Sequence, residues 1–133
     1  MTSPHNLKRI RLELARSKDH PNGSASCGYE FVAPLDRQGH IDAKAWNDLR
    51  RQCTVRRFWQ GAEDKHGYLV HKPGGSEHAR WTFDYDKARA DDDEAGYRFG
   101  AHAFVPGDYV TVSDQNADHT FRVISVETEA STR

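Results

Sequence analysis

The sequence predicts a mainly β (α+β) fold: a bent antiparallel sheet or small barrel-like core of about seven or eight short strands, with one packed helix over 42–53. Three observations carry that expectation. Residues 108–113 and 119–127 are rich in Tyr, Val, Phe and Ile and flank a polar run at 114–118, the pattern of a β-hairpin. Residues 80–86 alternate Trp81, Phe83 and Tyr85 with Arg80, Thr82, Asp84 and Asp86, the period of a half-buried strand. Only residues 42–53 carry a convincing helical period.

In chain order, residues 7–15 place Ile10, Leu12 and Leu14 on one face and Arg9, Arg11 and Glu13 on the other, a strand with a wet outer side. Residues 20–28 are rich in Pro, Gly, Ser and Asn and predict a loop; 29–35 predict a second strand ending at Pro34, which has no N–H for the ladder. In the helix, Asp42 is a good N-cap, and Ala45, Trp46, Leu49 and Cys53 form one stripe, with Trp46 the plug between helix and sheet. Arg50 and Arg51 fall in its last turn, where the dipole favours cations.

Residues 54–60 and 68–72 form the next pair around the turn-rich linker 61–67, and 72–80 read as a loop. The acidic run 91–94 is expected to be a solvated loop. Short strands at 97–99 and 103–105 lead through the Pro106-Gly107 turn into the closing hairpin. The core should contain Ile10, Leu12, Leu14, Trp46, Leu49, Phe83, Val110, Val112, Phe121 and Val123.

The chain has 133 residues, expected to form a single domain over 1–133 with frayed ends at 1–6 and 128–133. A hydrophobic content of 36% and a mean hydropathy of −0.90 imply a small core and long loops, while 11% aromatic residues argue against disorder. The net charge of −1 gives no electrostatic case for nucleic acid or membrane. The charge is uneven: residues 1–57 hold 11 basic against 6 acidic side chains, and 58–133 hold 8 against 14. There is neither an apolar run of transmembrane length nor an apolar signal segment near the start. Cys27 and Cys53, outside any CxxC, fit two reduced thiols in the cytoplasm.

The closing hairpin, with Phe104 before Pro106-Gly107-Asp108-Tyr109-Val110 and then Phe121-Arg122-Val123, is similar to hairpins of SH3-like small β-barrels. More broadly the chain resembles small bacterial domain families of unknown function. That resemblance implies a small barrel and carries no activity, cofactor or functional residue.

Motifs with chemistry are sparse. Eight histidines (His5, His20, His40, His66, His71, His78, His102 and His119) include no HxH, no HExxH and no helical i, i+4 pair, so they read as surface residues and no metal is expected. The consecutive acids at 91–94 lack the alternation and glycine of a calcium loop. Pro73-Gly74-Gly75-Ser76 has its lysine on the wrong side for a phosphate loop and reads as a turn. No GxSxG nucleophile is present, and Cys53 reads as a small core residue.

The reading that follows is a non-catalytic binding or interaction module for a small molecule or protein, with no catalytic residue and no cofactor assigned. Its expected cleft lies where the 60–80 linkers meet the aromatic strand, lined by Arg57, Trp59, His66, His71, Trp81 and Tyr85. Two alternatives stand beside it. One is a small enzyme with a His/carboxylate cleft. The other is a weak single-stranded nucleic-acid barrel using Arg50, Arg51, Arg56 and Arg57 beside Phe58 and Trp59, against which the pI of 6.7 argues.

Overall fold

Each strand hydrogen-bonds to the next in sequence, and the last returns to the first. The computed structural model describes residues 7–16, 21–72, 80–85, 94–97, 103–113 and 118–128. Within them lie β1 (Leu7–Leu14), β2 (Ser24–Pro34), α1 (Ala43–Leu49), a 3₁₀ turn (Arg50–Gln52), β3 (Thr54–Phe58), β4 (Lys65–Lys72), β5 (Arg80–Asp84), β6 (Glu94–Tyr97), β7 (Tyr109–Ser113) and β8 (Asp118–Thr128). All pairings are antiparallel, and β1 pairs with β8, which closes the meander into a barrel. The predicted class, mainly β with one packed helix, is the observed one.

Alternation decides what fills the barrel. Ile10 and Leu12 of β1 stand opposite Phe31 and Tyr29 of β2, and Val110 of β7 stands opposite Phe121 of β8. Rings from strands that are not neighbours meet inside: Tyr29 lies 4.9 Å from Phe83 and 5.1 Å from Phe121, and Phe31 lies 5.2 Å from Phe83. Small barrels are filled by such inward side chains rather than left hollow. All ten expected core residues are buried. The outer face carries Arg9, Arg11, Glu13, Glu30 and Arg56, whereas the lipid-facing band of a membrane barrel is apolar. No helix among the described residues is long and apolar enough to cross a membrane.

The helix is shorter than expected. Asp42 caps it, its carboxylate accepting from the Ala45 N–H at 3.1 Å, but α-helical turns stop at Leu49 and Arg50–Gln52 tighten into a 3₁₀ turn. Cys53 therefore lies beyond the helix, buried, with its thiol donating to the Leu49 carbonyl at 3.5 Å. That burial pushes the thiol up to about 12. The Trp46 indole N–H donates to the Leu69 carbonyl at 2.9 Å, and its ring meets Trp81 edge-on at 5.5 Å. The helix is thus pinned across β4 and β5.

Further boundaries also differ from expectation. Strand β2 begins at Ser24, inside the predicted loop, because Glu13 and Leu14 supply ladder partners as far back as Gly28 and Ser24. Strand β4 begins at Lys65, so Gly67 belongs to a ladder, not a linker. Glu94 opens β6 instead of closing an acidic loop, and 103–105 is irregular. Thr128 sits in β8, accepting from the Lys8 ammonium at 3.2 Å, so it is not part of a frayed end. Residues 1–6, 73–79, 91–93, 98–102 and 129–133, on which several other expectations fall, lie outside the described residues.

Gly28 is required by close approach. It stands opposite Phe58, and an added Cβ would collide with the Leu12 carbonyl oxygen and lie 3.0 Å from the Phe58 ring. Gly28→Ala is expected to lower the unfolding free energy by about 1–3 kcal/mol in urea titration. Trp46→Ala should cost about 3–5 kcal/mol, since it removes both the helix's anchor and a buried hydrogen bond. A loss below about 1 kcal/mol would show that the helix is peripheral to stability.

Candidate functional site

The barrel separates the six residues predicted to share a cleft. Arg57 and Trp59 lie toward one end: Trp59 packs 6.3 Å from Phe121 and 5.7 Å from His119, and the Arg57 guanidinium carbon sits 4.4 Å from the Trp59 ring. Tyr85 is half-buried against the core with Lys65 5.7 Å above its ring. His71 and Trp81 stack on each other at 4.2 Å beneath Trp46, with Trp81 only 3% exposed. His66 points to the outer face beside Arg56. The physical reason for this dispersal is parity. Within β4, His66 and His71 are an odd number of residues apart and must face opposite sides.

The four arginines of the nucleic-acid alternative are separated in the same way. Arg57 turns onto Trp59, while Arg56 is held on the outer face at 3.1 Å from Glu30 and 2.9 Å from Asp64. Arg11 joins that network at 2.9 Å from Glu30 and 2.7 Å from Glu13. Phe58 is clasped between the two guanidiniums, 4.5 Å from Arg11 and 4.9 Å from Arg56. Burial alone would raise the Glu30 carboxyl, but hydrogen bonds from Arg56 and Arg11 outweigh it and hold the group below its ordinary value.

What remains is the outer surface beside the helix. A cleft of about 510 Å³ opens there, lined by Trp46, Arg50, Arg51, Tyr68, Val70 and Asp84. Each member follows from local structure. Leu69 is buried inside, so its neighbours Tyr68 and Val70 face out, and Asp84 of β5 stands opposite Tyr68. The 3₁₀ turn swings Arg50 and Arg51 past the end of α1, and the chain after it is tied to β4 by the Leu69 N–H donating to the Cys53 carbonyl at 2.9 Å. Arg50 lies 5.9 Å over the Trp46 ring. Tyr68 is 44% exposed.

The cleft therefore offers two permanent cations, the indole of Trp46, an exposed phenol and one carboxylate. Neither Arg50 nor Arg51 makes an ion pair among the described residues. Sequence reasoning grouped these arginines with Arg56 and Arg57 and missed Tyr68, Val70 and Asp84. The available signal was β4 parity: an apolar Leu69 committed to the core puts Tyr68 and Val70 on the other face. Among the described residues no three His, Cys, Asp or Glu side chains are grouped to hold a metal ion. The chain matches no protein-family model, no curated protein and no solved structure.

The Glu30 network makes a pH-dependent contribution to stability. Because the folded carboxyl is lowered, its contribution is fully present above the ordinary value of 4.5 and is lost as pH falls through the lowered folded value. Glu30→Gln should cost about 1–2 kcal/mol at pH 7. Urea unfolding at pH 3 should find the gap between wild type and variant narrowed; a gap unchanged between the two pH values would contradict this account.

Proposed function

We propose that the protein is a non-catalytic binding module for a small anion carrying a planar apolar ring, held in the cleft between the end of α1 and the outer face of β4 and β5. The observation that carries the reading is the pair Arg50 and Arg51 at the rim of a cleft of about 510 Å³, without ion-pair partners among the described residues. Small-molecule sites are commonly concave spaces of roughly 300–1,000 Å³ with a few convergent polar groups. Guanidiniums stay charged across the physiological range and grip carboxylate, sulfonate or phosphate oxygens in forked pairs, which suits recognition rather than proton transfer. Tyr68 supplies a face for a ring, and Asp84 an acceptor for a ligand N–H or O–H.

The buried free thiols of Cys27 and Cys53 support a reducing compartment, the cytoplasm, in this reading. A place among small bacterial domains rests on the chain-wide resemblance alone.

Calorimetric titration with naphthalene-2-sulfonate tests the proposal, with 2-naphthol as the neutral ring and inorganic sulfate as the bare anion. The sulfonate should bind in the range of about 10 μM to 1 mM and more tightly than either control. Arg50→Ala and Arg51→Ala should each weaken it about tenfold, and Tyr68→Ala should weaken the sulfonate without changing sulfate. No binding, or binding that the double arginine variant leaves untouched, would refute the reading.

A further inference from the structure

Tyr68 is a shared wall. On its far side from the 510 Å³ cleft lies a second hollow of about 420 Å³, walled by Arg9, Thr54, Arg56, His66 and the same Tyr68. The ladder places these groups together: Thr54 stands opposite Tyr68 and Arg56 opposite His66, all facing out from β3 and β4. Arg9 comes from β1, three strands from β4 and about 14 Å across the sheet at the usual strand spacing. Its presence in the wall of a hollow on β3 and β4 means that its side chain leans over β2. The strand beneath fits, since Val32, opposite Arg9 in the ladder, is buried although it lies on the outer side of β2.

The arginines of the second hollow already have partners within the fold: Arg56 is engaged by Glu30 and Asp64, and Arg9 makes an interaction of its own. Arg9 and His66 are the other cationic or donor groups on its wall, and Glu127 stands opposite Arg9 in the β1–β8 ladder. A ligand anion arriving there competes with a neighbouring carboxylate, which limits the gain.

We infer that the two hollows act as one groove, and that its ligand is an elongated dianion whose planar middle lies against Tyr68. One anionic group sits at Arg50 and Arg51, the other at Arg9 and His66. This rests on the reading of the first cleft given above and adds the second anchor. The two hollows share Tyr68, so a ring with an anion at each end matches them better than a compact dianion such as sulfate.

Naphthalene-2,6-disulfonate compared with naphthalene-2-sulfonate isolates the second anchor. The disulfonate should bind about five- to tenfold more tightly, beyond the roughly twofold statistical factor of its two equivalent ends. Arg9→Gln should abolish that advantage while leaving the monosulfonate unchanged, and His66→Gln should reduce it; circular dichroism would verify that both variants are folded. An advantage of about twofold or less in the wild type, or one that survives both substitutions, overturns the inference and leaves the first site standing. Failure of the monosulfonate to bind at all overturns both.

Discussion

The structure depends on a contact that crosses the barrel: the Tyr29 ring against Phe83 on one side and Phe121 on the other. These rings belong to β2, β5 and β8, so one phenol of β2 ties it to two strands, and no two of the three are hydrogen-bonded to each other. Aromatic pairs of this kind contribute about 0.5–1.5 kcal/mol each beyond the apolar area they bury. Their larger effect is geometric. Rings about 5 Å apart across the lumen need a tightly curled sheet, and a sheet curled that far brings β8 within reach of β1.

Once the apolar residues are committed inward, the outside must manage its charges. It does so unevenly. On β1–β3 the acids and bases neutralise one another around Glu30, with Phe58 clasped over the flat patch that Gly28 leaves. At the helix end there is no such compensation within the described residues, and Arg50 and Arg51 stand beside an open cleft. The same alternation that builds the core thus also sets which polar side chains of the strands gather on the outer face.

Much of the fold was legible because its signal is local. The alternation in β1, the Asp42 cap and the apolar runs of β7 and β8 each depend on a few neighbouring residues. The start of β2 was not legible, since Ser24–Gly28 becomes strand only because β1 offers a partner. The cleft was harder still. Its walls come from the 3₁₀ turn, β4 and β5, and no short-range pattern relates Arg50 to Asp84. The six residues expected to line one cleft were chosen by chemical type, whereas strand parity sends His66 outward and puts His71 under the helix.

The β1–β8 seam also has a consequence for biosynthesis. Every other ladder joins sequence neighbours and can form as the chain leaves the ribosome, but this seam joins the first strand to the last. Until β8 is released, β1 has an open edge, and its inner face lacks the Phe121 and Val123 that stand opposite Leu14 and Leu12. An unpaired edge of that kind is a template for pairing with another nascent chain. The arginine at every second position along Lys8–Arg11 limits this, because Arg9 and Arg11 place like charges along the exposed edge where a second copy would have to align.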